Sequence, residues 1–291
     1  MVSKRSTVRL LAIAAALTIA TTSGNAQSLA IEDRFSEANI PSSIDKLLTR
    51  AEKGDRDSQF FLGLAYHLGK GVPQSDAEAV RWYRIAADHG VLAAQVNMGV
   101  MYASGKGVPQ DFSQAVMWYR RAAAEGQRAA ENNLGLMYLL GKGVPQDLEE
   151  AHKLFEKAAK DGSAAGMFNL AWTYQKGRGC QQNDKLAIEL YKKAAKKGDV
   201  RAQLNLGYVY EKGRGVKQDY AEALRWYRAA ANQGMAEAEY NMSVMYREGR
   251  GVPADREKSY EWLAKAQAHG FGVTSEDDNL VRTAQGAFGQ P

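Results

Sequence analysis

From Val91 to Gly126 the apolar positions fall into two helical stripes separated by a glycine-rich turn. In the first half, VLAAQVNMGVMYAS, Ala94, Met98 and Tyr102 stand four apart and share one helical face. Gly99 lies beside that face, where a missing side chain lets a neighbouring helix approach. Gly105 suits the residue after a helix end, where φ turns positive. Gly107 permits a tight turn, and Val108 and Pro109 carry the chain across. Asp111 then fits an N-cap, with Gln114 three residues on completing a capping box. The same box recurs as Ser75/Glu78, Asp147/Glu150 and Asp219/Glu222. The second half carries Ala115, Trp118, Tyr119 and Ala122, the i, i+3, i+4, i+7 spacing of an amphipathic helix, and Gly126 closes it.

The pattern is written six times. LGLAYHLGKGVPQ begins at Leu62, MGVMYASGKGVPQ at Met98 and LGLMYLLGKGVPQ at Leu134. LAWTYQKGRGCQQ begins at Leu170, LGYVYEKGRGVKQ at Leu206 and MSVMYREGRGVPA at Met242. Their second residues, Gly63, Gly99, Gly135, Ala171, Gly207 and Ser243, are each 36 apart, with no insertion or deletion. A fixed period of this length predicts an all-α solenoid of helix-turn-helix repeats, each burying its stripe against the next. Tyrosine recurs at 66, 102, 138, 174, 210 and 246, and glycine closes the second helix at 90, 126, 162, 198, 234 and 270. The second helix also carries a bulky pair, as in Trp82-Tyr83, Trp118-Tyr119, Leu154-Phe155 and Trp226-Tyr227. Large residues on one helix facing Gly or Ala on the other predict core packing rather than a cofactor box.

An array needs caps for its terminal faces. Residues 42–54 predict one: SSIDKLLTRAEK places Ile44, Leu47, Leu48 and Ala51 on one face. The repeats occupy 55–270, and 271–291 is expected to form a short capping helix, with Leu280, Val281 and Ala284 on one side, and a tail. At the other end, Lys4, Arg5 and Arg9 precede the apolar run Leu10 to Ala20, and Gly24-Asn25-Ala26 offers small residues for cleavage. Residues 1–26 therefore read as a secretory signal peptide followed by a linker at 27–41, which places the mature chain in the periplasm or outside the cell. The run is too short for a lasting anchor, which needs about 20 apolar residues, and no integral membrane segment is expected after cleavage.

The net charge of +5 changes little, because three positive charges are Lys4, Arg5 and Arg9 and only two remain beyond residue 26. That balance gives no reason to expect a nucleic-acid partner. The single cysteine, Cys180, excludes an intramolecular disulfide and fills a slot that is valine in the other five copies. His67, His89, His152 and His269 form no metal-ligand spacing, and His89 and His269 share one repeat position just before the closing glycine. No nucleophile elbow, phosphate loop or zinc motif is present in the sequence. Neither catalytic residues, metal nor cofactor are expected, and the chain reads as a non-enzyme. The turn bases Lys70, Lys106, Lys142, Arg178, Arg214 and Arg250 form one row, favoured by helix C-termini or by an acidic partner.

LGxxYxxGxGVxxD followed by AxxWYxxAAxxG at this period resembles the Sel1-like repeat, a relative of the tetratricopeptide repeat. The resemblance covers Ser58 to Gly270. It implies a right-handed superhelix of antiparallel helix pairs and work as a protein–protein interaction scaffold, often in envelope and signalling complexes. A secreted branch of the family ties its hairpins with disulfides, and the single cysteine means that branch's properties, including β-lactam handling, do not transfer. In related solenoids the first helices line the concave groove. Here that face would present Phe168, Trp172, Leu204, Tyr208, Tyr240 and Val244, beside a row of Asn97, Asn133, Asn169, Asn205 and Asn241. Asparagine is a poor helix former, so its recurrence needs a reason. The row either bonds the adjoining helix or holds the backbone of a bound peptide. The expectation is a protein or peptide partner in this groove. The alternatives are an envelope enzyme or small-molecule binder using the same groove, and an exported factor that engages host or surface components.

Overall fold

A computed structural model describes residues 36–41 and 43–272. The expected signal peptide and nearly all of the expected C-terminal cap lie outside them. The described residues form thirteen α-helices, a short 3-10 turn at Glu37–Asn39 and no strand. They pack as two compact units, one up to Gly166 and one from Met167.

In unit one, α1 (Ile44–Glu52) precedes the hairpins α2 (Arg56–Leu68)/α3 (Asp76–Asp88), α4 (Leu92–Ser104)/α5 (Phe112–Ala124) and α6 (Arg128–Leu140)/α7 (Leu148–Lys160). Unit two contains α8 (Ala164–Lys176, entered at Met167), α9 (Asp184–Lys196), α10 (Val200–Lys212), α11 (Tyr220–Ala231), α12 (Ala236–Glu248) and α13 (Arg256–Ala268). Helix α1 buries Leu47 and Ala51 against Leu62 and Trp82.

Four of the six hairpins close on an aromatic ring laid over a glycine, at Gly63, Gly99, Gly135 and Gly207, whereas Ala171 and Ser243 stand at that position in the other two. A side chain added at Gly99 would stand 2.3 Å from the Tyr119 ring, and one at Gly207 would stand 2.3 Å from Tyr227. The glycine thus lets a fully buried tyrosine lie flat on the partner helix, and burying such a ring is worth about 3–5 kcal/mol. Gly107, at φ 69°, serves a different need. An added side chain there would meet the Asp76 carbonyl oxygen at 2.2 Å, so the turn presses directly on the start of α3.

The turn explains the recurring glutamine. Gln110 Nε2 donates to the Ala103 carbonyl at 2.8 Å, Gln146 to Leu139 at 2.8 Å and Gln218 to Glu211 at 2.7 Å. Each satisfies a carbonyl that the helix end leaves without an intrahelical donor. The N-caps form as the spacing predicts, Asp111 accepting from the backbone of Gln114 and Asp147 from that of Glu150. The reciprocal half of the box takes another form. The Asp111 and Asp147 N–H groups donate to the carbonyls of Tyr102 and Tyr138, at 2.9 and 3.0 Å. Glu78 and Glu222, released from that duty, pair with Arg81 and Arg225, each at 2.9 Å.

A second polar staple joins successive hairpins. Gln59, Gln95 and Gln203 donate to the carbonyls of Ala51, Ala87 and Ala195, at 3.1–3.2 Å. Glu131 occupies the same slot and lacks the side-chain amide N–H of a glutamine. Lys157 supplies the donor instead, reaching the Ala123 carbonyl at 3.4 Å and the buried Glu131 carboxylate at 2.8 Å. The contact with Glu131 is electrostatic, its angles lying outside hydrogen-bond geometry.

Candidate partner-binding surface

The first helices of unit two, α8, α10 and α12, carry the residues expected to meet a partner. The packing divides those residues into two sets. Trp172, Tyr208 and Val244, spaced by one repeat, are partly exposed and make a row. Phe168 and Leu204, one helical turn earlier, are 2% and 7% exposed. Phe168 lies 5.7 Å from the Tyr191 ring, centroid to centroid, with the Arg201 guanidinium 4.2 Å over it. Leu204 joins the cluster of Ala223, Tyr227 and Met242. Both are core residues and leave the candidate surface. Tyr240 is partly exposed and stacks on Phe271 at 4.6 Å.

Three asparagines of the row, Asn97, Asn133 and Asn205, face tyrosine hydroxyls of the preceding hairpin. Asn133 faces the hydroxyl of Tyr119, and Asn205 that of Tyr191. Burial raises both tyrosine pKa values well above their ordinary range, and the asparagine contact works against that rise. Asn97 also faces a buried hydroxyl, that of Tyr83, close enough to oppose the rise there without meeting strict hydrogen-bond geometry. Asn169 is 5% exposed, and Asn241 is partly exposed. A buried hydroxyl without a partner costs about 1–3 kcal/mol, which is reason enough for a poor helix former to recur.

In the fifth repeat the tyrosine finds a different partner. The Tyr227 hydroxyl donates to Glu211 Oε2 at 2.8 Å, and burial and then the Glu211 carboxylate push the phenol well above its usual range. Glu211 Oε1 meets Lys212 Nζ at 2.6 Å and the Arg250 guanidinium at 3.0 Å. Arg250 also pairs with Glu248 at 2.5 Å. Tyr208 borders this network, with Lys212 and Arg214 lying 5.8 and 5.4 Å from its ring centre. The charged surround of Tyr208 is therefore the part of the site that the apolar pattern did not show. Its signal is the residue before each turn glycine, which is Leu68, Ser104 and Leu140 in the first three repeats and Lys176, Lys212 and Glu248 in the last three.

The chemistry of the other polar residues is local. His67 bonds Asp76 at 2.7 Å, His89 bonds Gln59 at 2.7 Å, and His269 bonds the buried Glu239 at 2.8 Å. His89 and His269 are the C-caps of α3 and α13, where the helix dipole favours them. Burial raises the Cys180 thiol pKa, the direction opposite to a reactive thiolate, with a Thr173 hydrogen bond opposing it. Among the described residues no group of three His, Cys, Asp or Glu is placed to hold a metal ion. No described helix is long and apolar enough to cross a membrane.

The Sel1 repeat matches residues 56–91, 92–127, 128–163, 164–199, 200–235 and 236–271. Among solved structures, the chain is similar to c5321, a protective antigen present in uropathogenic Escherichia coli strains displaying an SLR fold. The two are 34% identical over 85% of this chain and 53% of that one, with a TM-score of 0.70. This chain thus spans about half the length of that structure. It is also similar to a Sel1 repeat protein from Oxalobacter formigenes, 31% identical over 78% of this chain and 99% of that one, with a TM-score of 0.70. Immunity protein Pa5087 from Pseudomonas aeruginosa shares the fold at 19% identity, covering 70% of this chain and 80% of that one, with a TM-score of 0.51. A comparison with curated proteins finds no match. Six matched repeats running from residue 56 to 271, each a helical hairpin closed on a glycine, place the chain in the Sel1 repeat family.

Proposed function

We propose that this chain is a non-catalytic scaffold that holds a protein partner on the first-helix face of unit two, in the periplasm or after secretion. Sel1 repeat proteins generally act as protein-interaction scaffolds. The observation that carries the finer reading is the row Trp172, Tyr208 and Val244. These apolar side chains stay partly exposed, whereas Trp82, Trp118 and Trp226 on the second helices are at most 9% exposed. Aromatic residues left accessible on a repeated, rigid face make effective anchors for a partner. The location rests on the basic start, short apolar run and small-residue exit of residues 1–26.

The test is a pull-down from periplasmic extract with wild type, Trp172→Ala/Tyr208→Ala and Asn133→Ala, each shown folded by circular dichroism. The reading expects a specific partner to be lost from the aromatic variant and kept by the asparagine variant. Equal recovery by all three folded proteins sinks it. The likeness to a protective antigen favours a second reading, display outside the cell, and fractionation that finds the chain in culture medium supports it.

A further inference from the structure

We infer that the first-helix ends of unit two, Lys176 and Arg178 on one repeat and Arg214 on the next, dock an acidic, extended segment of a partner protein alongside Trp172 and Tyr208. The inference rests on the first-helix face being the binding surface and names the chemistry of what binds there.

Helix dipoles do not account for these cations. A cation at a helix C-terminus gains about 0.3–1 kcal/mol from the dipole, and that pull acts equally on every first helix. In unit one the corresponding positions are nevertheless Leu68, Ser104 and Leu140, each followed by a single turn lysine. Unit two doubles the charge to K-G-R-G in two successive repeats.

Local carboxylates absorb only the Lys212 charge, through Glu211 at 2.6 Å. Glu211 is already engaged by Tyr227, Lys212 and Arg250, and Glu248 by Arg250 and Arg247. Lys176, Arg178 and Arg214 are exposed and make no ion pair among the described residues. Arg214 instead lies 5.4 Å from the centre of the Tyr208 ring. A guanidinium held beside an aromatic ring keeps its N–H fork free for a carboxylate and loses little freedom on binding. The Glu211–Arg250 bridge at 3.0 Å shows how closely one repeat's turn approaches the preceding first helix. Consecutive turns therefore offer cations at short intervals beside apolar rings. A segment carrying both carboxylates and apolar side chains at residue spacing matches this arrangement. A bare anionic surface supplies only the charge.

The experiment selects a displayed library of random peptides on the full chain, then measures binding of one synthetic winner by fluorescence anisotropy. Enriched peptides are expected to combine Asp or Glu with apolar residues. The winner should bind folded Arg178→Ser/Arg214→Ser about tenfold more weakly and bind Lys70→Ser/Lys106→Ser as it binds wild type. Neutral or basic winners, no enrichment, or equal binding to both pairs of variants overturns the inference. A winner weakened by Tyr208→Ala and not by Arg178→Ser/Arg214→Ser also overturns it, while leaving the face as a binding surface. Arginine-dependent binding to phosphatidylserine vesicles without peptide enrichment assigns the cations to a lipid surface and overturns it as well.

Discussion

Unit one and unit two build the same hairpin and finish it differently. In unit one the first helices run into their turns through Leu68, Ser104 and Leu140, and Tyr119 meets the neutral amide of Asn133. In unit two they end in Lys176, Lys212 and Glu248, and Tyr227 meets the carboxylate of Glu211 inside a network with Lys212 and Arg250. The glycine-on-ring packing is common to both, at Gly63, Gly99 and Gly135 in unit one and at Gly207 in unit two. The polar finish is free to vary, and the K-G-R-G doubling found only in unit two marks where selection for something besides folding has room to act.

The shared packing gives the largest expected effect. Tyr119→Ala empties a fully enclosed ring site over Gly99 and should lose about 3–5 kcal/mol in urea denaturation. A loss below about 1 kcal/mol would show that the ring is not the keystone of its hairpin. The charged finish comes next. Arg250→Ala leaves Glu211 buried with Lys212 as its remaining cation, and should cost about 2 kcal/mol. Lys142→Ala, at the matching turn of unit one, should stay within about 0.5 kcal/mol. Equal costs would erase the contrast between the units.

The asparagines sharpen it further. Asn133→Ala removes the side-chain partner that eases burial of the Tyr119 hydroxyl and should cost about 1 kcal/mol. Asn205→Ala should cost less, since Tyr191 also bonds Gln175 at 3.1 Å. The smallest effect is a pH dependence. Tyr227 has its folded pKa raised above the ordinary value of 10.0, so its contribution is complete below that value and is lost as pH rises through it. Stability should therefore decline above about pH 10, and Tyr227→Phe should flatten that decline in denaturation midpoints taken across it.

The repeat, its hairpins and the helix caps were legible because they depend on spacing. Glycine 36 residues from glycine, with tyrosine three later, fixes the helix faces whatever surrounds them. The candidate surface was only half legible. Phe168 and Trp172 look alike as aromatic residues one turn apart, yet one is packed against Tyr191 and the other is partly exposed. The asparagines could not be assigned from their own positions either, since the hydroxyls they meet lie 14 residues earlier on another helix. Glu131 was not distinguishable from the glutamines of its slot until Lys157 was seen to supply the missing donor.

Sequence alone determined that this protein is an array of six helical hairpins, because local propensity and a strict period leave one way to bury every stripe. Tertiary structure alone decided which aromatics face outward, which amides serve buried phenols and which cations lack a carboxylate. Those outcomes depend on partners brought together from different hairpins, and no periodicity within a single helix encodes them.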